Sequence, residues 1–302
     1  MEPLTMTRRT MIGASLAALA ASAAAAPAAR LYRQVPSTGE RIPIVGLGTW
    51  QAFDIAPSDP DWEEAGQALA VFLREGGRLI DSSPMYGRAE AAVGALLDNS
   101  PLKERAFLAT KVWTSGREEG RRQIARSFEL LRTPRIDLLQ VHNLVGLDTH
   151  LPYLRGLKEE GRIRYVGATH YHAGAYDALE RAIRGGLDFV QLNYSVAERE
   201  AERRILPLAR ERGVAVIVNR PFAGGGLFGR VRAQPLPAFA DELNCTSWAQ
   251  LLLKFVVADS AVTCAIPGTR NPRHVLDNLG GALPPLPNAE QRRRIAKAAL
   301  AA

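Results

Sequence analysis

The chain has 302 residues, 47% of them hydrophobic and 23% charged, which is ample for one large domain with a sizeable core. Its formal charge of +7 lies partly in short clusters, Arg121-Arg122, Arg203-Arg204 and Arg292-Arg293-Arg294, that read as solvated helix faces rather than a grip on nucleic acid. The cysteines and histidines show no metal-ligand spacing, which argues against zinc; Cys264, in an apolar run, reads as a core thiol.

In chain order, Met6-Thr7-Arg8-Arg9-Thr10-Met11-Ile12-Gly13 comes first, followed by an Ala/Leu-rich run to Ala29. Two arginines before a weakly hydrophobic stretch of signal-core length resemble a bacterial twin-arginine signal. Residues 1–29 are therefore expected to engage the twin-arginine export machinery and to send residues 30–302 to the periplasm. Cleavage after Ala25 satisfies the small-x-small rule, with nearby alanines competing. The other reading is a tail or uncleaved anchor; a leader without function leaves the protein cytoplasmic. Removing 1–29 takes away Glu2, Arg8 and Arg9 and leaves +6, so the basicity belongs to the domain and suits an anionic ligand such as a dinucleotide.

Ile42-Pro43-Ile44-Val45-Gly46-Leu47-Gly48 reads as a strand leading to Thr49 and Trp50. Helices and strands then alternate. Helices are expected at 62–75, 88–98, 117–131, 150–160, 173–184, 202–212 and 246–258, and the strands that follow them at 78–81, 106–110, 136–141, 163–167, 188–192, 214–218 and 262–266. Short apolar strands between amphipathic helices call for a buried parallel sheet with helices outside. Eight such units predict an α/β fold of one domain, a (β/α)8 TIM barrel. A doubly wound open sheet is the rival, but no Gly-x-Gly-x-x-Gly follows the first strand; Gly224-Gly225-Gly226 comes too late. Residues 228–240, rich in Pro and Arg, read as a mobile loop. Leu283-Pro284-Pro285-Leu286-Pro287 reads as a linker to a basic helix at 288–299.

Six successive strands end in polar or ionisable groups: Asp81, Lys111, His142, Thr169-His170, then Gln191 with Asn193-Tyr194-Ser195, and Asn219-Arg220. Barrel chemistry collects where strands end, because loops converge there. A purely structural barrel has no need of that coincidence.

Asp81-Ser82-Ser83-Pro84-Met85-Tyr86-Gly87, Ala109-Thr110-Lys111-Val112, Leu139-Gln140-Val141-His142, Gln191-Leu192-Asn193-Tyr194-Ser195, Ile266-Pro267-Gly268-Thr269 and Asp277-Asn278 occur in an order that resembles the aldo/keto reductase family across residues 31–282. The resemblance implies NAD(P)H-dependent reduction of an aldehyde, ketone or quinone-like carbonyl, a monomer, and a catalytic set of Asp81, Tyr86, Lys111 and His142. Tyr86 is the expected general acid. A free phenol titrates near pH 10, and a cationic Lys111 is expected to lower that value while Asp81 holds the ammonium. His142 is expected to donate to the substrate oxygen where negative charge grows. With no metal expected, an organic cofactor must bring the hydride.

For the cofactor the resemblance implies Thr49, Trp50, Thr169, His170, Gln191 and Tyr194 around the nicotinamide, His170 departing from the family's usual asparagine. It implies Arg220, Phe222, Gly224, Gly268, Thr269 and Asn278 along the pyrophosphate and adenylyl end, where glycines let the backbone approach phosphate and a helix from Pro272 adds its amides. Arg270 and Arg273 are candidates for the 2′-phosphate and favour NADPH over NADH, although Gly268 and His274 occupy positions that are often basic. Trp50, Met85, Trp113 and Tyr171 are candidate apolar pocket walls. Two other functions compete with the reductase: a nicotinamide-binding redox sensor with little turnover, which has no need of Tyr86 and Lys111, and a glycoside hydrolase, which needs a second carboxylate beside Asp81.

Overall fold

The structure is a computed structural model that describes residues 29–98 and 100–301; the expected export signal lies outside them apart from Ala29. A hairpin comes first, β1 (Tyr32–Gln34) antiparallel to β2 (Arg41–Pro43). The parallel strands are β3 (Leu47–Gly48), β4 (Leu79–Asp81), β5 (Phe107–Val112), β6 (Ile136–His142), β7 (Ile163–Thr169), β8 (Phe189–Asn193), β9 (Ala215–Asn219) and β10 (Val262–Ala265). They pair in chain order, and bridges Val45–Ala265 and Gly48–Gly268 close the seam between first and last. This is a (β/α)8 TIM barrel of one domain. Closure needs glycine at the seam: a Cβ on Gly46 would lie 2.8 Å from the Leu79 carbonyl oxygen, and one on Gly48 2.9 Å from that of Ile266.

The outer layer is α1 (Trp62–Arg74), α2 (Ala89–Asp98), α3 (Arg117–Leu130), α4 (Leu147–Glu159), α5 (Tyr176–Arg184), α6 (Ile205–Arg212), α7 (Gly226–Val231), α8 (Trp248–Val257), α9 (Pro272–Gly280) and α10 (Ala289–Leu300). Their apolar faces cover the outward side chains of the strands, such as Ile80, Leu139, Val166 and Val190. The inward side chains form a second core of Leu79, Phe107, Leu138, Tyr165, Phe189 and Ile217, with Val35 and Ile42 of the hairpin plugging the floor.

Two expectations are corrected. Residues 42–47 are not one strand: Arg41–Pro43 crosses the floor in the hairpin, Val45 meets the wall only through its bridge to Ala265, and the wall strand itself is Leu47–Gly48. An apolar run reads alike in either place, and the break falls between Pro43 and Leu47. Residues 228–240 are also not simply a loop. They carry the end of α7 and run into a 3-10 helix (Ala238–Leu243), with Val231, Ala240 and Leu243 buried and the Trp248 indole donating to the Gln234 carbonyl.

Candidate active site

Side chains on a strand alternate between faces. The inward register that begins at the floor with Leu79, Phe107, Leu138, Tyr165 and Phe189 therefore reaches the rim as Asp81, Lys111, His142, Thr169 and Gln191. The site follows from one parity shared by neighbouring strands. Tyr165 lies four residues before Thr169, roughly 13 Å lower at strand rise, and its hydroxyl joins Glu40 and Thr38 of the floor hairpin. A cavity of about 580 Å³ opens there, lined by Glu40, Lys158 and Arg164 among others. Its charges are already paired, Arg164 to Glu40 and Asp137, Lys158 to Asp188.

At the rim the Lys111 ammonium donates to Asp81 Oδ2 at 2.6 Å and to the Ser82 carbonyl at 2.7 Å, with both charged side chains buried. Asp81 Oδ1 accepts from Gln140 Nε2 at 3.2 Å and Gln191 Nε2 at 2.9 Å. Gln191 Oε1 in turn accepts from Thr169 at 3.1 Å and Asn219 at 3.4 Å. A buried carboxylate is tolerable only when paired and saturated in this way. The Thr49 N–H donates to the Asp81 carbonyl and its hydroxyl to the Ser82 hydroxyl, which braces the end of β4.

Tyr86 sits on the β4–α2 loop, where its N–H bonds the Ser83 carbonyl and Gly87 adopts φ +61°. Lys111 Nζ lies 4.8 Å from the centre of its ring, and the His142 ring stands almost perpendicular to it at 5.8 Å. Burial raises the Tyr86 phenol above its ordinary value, and the nearby Lys111 charge does not offset this. That reverses the expected direction: in a dry site the cost of exposing a phenolate to low dielectric wins. Burial pulls Lys111 down, but Asp81 and Tyr86 outweigh it and keep the ammonium charged. Burial, then Lys111 and His170, push His142 down to about 2, so its imidazole is neutral.

The other expected residues fall into distinct groups. Trp50, Met85, Trp113 and Tyr171 are four of the eight exposed large hydrophobic side chains among the described residues, gathered on loops above the rim. Gln123 holds the Trp113 backbone through its N–H and carbonyl. His170 is half-buried, its Nδ1 accepting from the Tyr171 N–H. Tyr194 is fully buried against Phe255, its hydroxyl engaged by Glu202 and Arg292, and it offers no exposed face. Asn278 is buried on α9. Gln140 and Ser83 were not singled out by sequence reasoning; the signals for them are that Gln140 shares the inward parity of His142 on β6 and that Ser83 stands in the same short segment as Asp81 and Tyr86.

A dinucleotide has a matching surface. Positive φ at Arg220, Ala223, Gly224 and Gly225 turns the backbone into a curl after β9, near the half-buried Phe222, and side-chain space above Gly225 and Gly226 is open. Gln140 Oε1, Asn219 Oδ1 and Arg220 Nε are buried without a partner among the described residues, and such orphaned groups call for a polar ligand or water. A cavity of about 380 Å³ beside the seam is lined by Trp50, Glu64, Gly268, Thr269, Arg270 and Asn271 among others. The α9 N-terminus is already occupied: Asn271 Oδ1 accepts from the N–H groups of Arg273 and His274. Arg270 is held by Asp61, while Arg273 and His274 are exposed. Among the described residues, no cluster of His, Cys, Asp or Glu is placed to hold a metal ion.

Comparison with known proteins accords with this geometry. The profile of the aldo/keto reductase family matches residues 44–298. The chain is 28% identical to the aldo-keto reductase YhdN of Bacillus subtilis over 66% of its own length and 64% of that protein, so it spans a little under two thirds of this relative. It is 29% identical to the NADH-specific methylglyoxal reductase of Escherichia coli over 65% of its length and 68% of that protein. The fold matches an aldo/keto reductase of Klebsiella pneumoniae solved with NADP and acetate, with TM-score 0.69, 24% identity, and coverage of 86% and 92% of the two chains. The chain belongs to the aldo/keto reductase family.

Proposed function

We propose that this family member reduces a carbonyl, an aldehyde, ketone or quinone-like compound, to the alcohol, with NADPH preferred over NADH. The observation that carries the reading is the buried Lys111–Asp81 pair placed under Tyr86 and His142, since a barrel does not need a charged pair inside its rim. A bound reduced nicotinamide supplies the hydride. The residues of the chain do the rest. Trp50, Met85, Trp113 and Tyr171 shield a carbonyl from water. Neutral His142 donates to the carbonyl oxygen and orients it without competing for the proton. As charge grows on that oxygen, the Tyr86 O–H bond breaks, the proton forms the alcohol, and the phenolate left behind is stabilised by Lys111 until solvent reprotonates it.

Gln191, Thr169, Asn219 and Arg220 are the groups that would hold the nicotinamide and the adjoining phosphates, with Gly224, Gly268 and Thr269 admitting the backbone close to them. Arg270 and Arg273 support NADPH through their fit to a 2′-phosphate. The NADP in the Klebsiella structure agrees, whereas the Escherichia relative is named NADH-specific; its name makes methylglyoxal a natural first substrate and NADH the cofactor to test beside NADPH. The twin-arginine-like Arg8-Arg9 and its apolar run support export of a folded, cofactor-loaded protein, after which either a separate system re-reduces the retained nicotinamide or turnover is limited.

The test follows NADPH absorbance with the purified chain and a panel of small aldehydes and ketones. Consumption abolished by Tyr86→Phe supports the reading. Wild-type protein that binds NADPH yet reduces nothing on the panel would argue for a sensor.

A further inference from the structure

We propose that Ser83 is a positioning residue that fixes the proton of neutral His142 on Nε2 by donating its own hydroxyl proton to Nδ1. The proposal rests on the carbonyl-reductase reading above for its consequence, but not for its geometry.

Ser83 Oγ lies 2.9 Å from His142 Nδ1, with Ser83 fully buried and His142 nearly so. The same oxygen accepts from the Met85 N–H at 3.3 Å. Among the described residues these are the side-chain hydrogen bonds of Ser83. One lone pair is therefore in use, and the hydroxyl proton needs an acceptor. His142 Nδ1 is the acceptor within reach. Were the imidazole proton on Nδ1 instead, it would point at the serine oxygen and leave the hydroxyl proton buried without a partner, which costs the full desolvation of that group.

The tautomer matters because the ring carries a single proton. Burial and the Lys111 charge keep it neutral. The Nδ1–H tautomer would turn a lone pair toward the space above Tyr86, where it repels a carbonyl oxygen. The Nε2–H tautomer turns a donor there instead. The His142 ring centre lies 5.8 Å from that of Tyr86 and 6.5 Å from that of Trp113, and with Nδ1 turned to Ser83 the Nε2 edge is the one left for a substrate. Ser83 and Ser82 divide the work: Ser82 accepts from Thr49 and holds the strand end, and Ser83 holds the histidine.

The experiment records long-range proton–nitrogen correlations of the imidazoles in protein labelled with 15N-histidine, His142 being assigned by its loss in His142→Gln. Wild type should show an unprotonated Nδ1 and a protonated Nε2. Ser83→Ala should shift His142 toward Nδ1–H and lower kcat/KM for aldehyde reduction by about tenfold, short of the roughly 10²–10³-fold cost of removing an oriented donor outright because the Nε2–H tautomer is depleted and not abolished, with the Kd for NADPH by fluorescence unchanged. Ser83→Thr should restore both signals, and Ser83→Ala should cost nothing further in a His142→Gln background. An Nδ1–H signal in the wild type, or a tautomer indifferent to Ser83→Ala, overturns the proposal; the wild-type spectrum decides even if Ser83→Ala does not fold. If the spectra behave as expected but wild type reduces no carbonyl, the function fails and the role of Ser83 stands.

Discussion

Lys111 Nζ lies 2.6 Å from Asp81 Oδ2, and neither charge reaches solvent. The two come from neighbouring strands in the same inward register. Breaking such a pair leaves an uncompensated buried charge, at about 3–5 kcal/mol. Lys111→Met should therefore both abolish carbonyl reduction and lower the thermal midpoint by several degrees. Converting Asp81 to Leu in the same protein removes the stranded carboxylate and should recover most of that stability while activity stays lost. An unaltered midpoint in the single variant, by thermal denaturation, would show that Gln140 and Gln191 suffice to hold Asp81.

The pH profile separates the roles of Tyr86 and His142. The Tyr86 phenol is raised by burial, so its protonated form persists through the neutral range. Reduction consumes that proton, and kcat/KM should stay level across neutral pH and fall only at alkaline pH, as the acid is lost on rising through its pKa. Oxidation of the alcohol needs the phenolate and should rise over the same interval. His142, down at about 2, does not titrate in the working range. His142→Gln should lower the plateau without removing a limb of the curve. A limb near the ordinary histidine value of about 6.5 that disappears in His142→Gln would contradict the neutral imidazole.

What the sequence discloses and what it hides have physical reasons. Asp81, Lys111 and His142 are legible because each ends an apolar run, and a strand end in a parallel barrel is a rim. The floor hairpin is not, since Ile42 and Leu47 share one unbroken apolar run and nothing in it says which residue faces the barrel floor. Tyr194 follows Asn193 directly but leaves the sheet to meet Glu202 and Arg292, a partner 98 residues away. Asp61 and Arg270 stand 209 residues apart, and only closure of the barrel brings them together. The direction of the Tyr86 shift was lost for a different reason: a nearby cation is visible in a motif, and the depth of burial is not.

Two glycines in helices should respond to alanine with opposite signs. Gly94 on α2 faces the end of α3, where a Cβ would fall 2.0 Å from the Leu130 carbonyl oxygen. Backbone cannot yield cheaply there, so Gly94→Ala should destabilise by about 1–3 kcal/mol despite its better helix propensity. Around Gly156 on α4 no described residue beyond its own stretch of helix lies within 4 Å of the new methyl group. Gly156→Ala should stabilise by about 0.4–1 kcal/mol, through the unfolded chain. Denaturant midpoints of the two variants at equal slope decide the matter; a stabilised Gly94→Ala would mean that α2 and α3 are not seated as described.

Arg270 shows how the chain can tune its choice of cofactor. Its guanidinium is bound by Asp61, both side chains being partly exposed, and Asn271 beside it donates to Glu64 at 3.0 Å. A 2′-phosphate arriving at Arg270 must displace or share it with Asp61, so the carboxylate taxes NADPH and leaves NADH untouched. Partly exposed pairs are worth about 0.2–1 kcal/mol, and Asp61→Ala should accordingly tighten NADPH by two- to fivefold, a range that also includes relief of repulsion between phosphate and carboxylate. NADH affinity should not move. Arg270→Ala should weaken NADPH alone, and in that background Asp61→Ala should lose its benefit apart from the repulsion. Fluorescence titrations of the four proteins with both nucleotides supply the constants. Equal changes for NADPH and NADH would place the 2′-phosphate elsewhere, with the exposed Arg273 next to be tested.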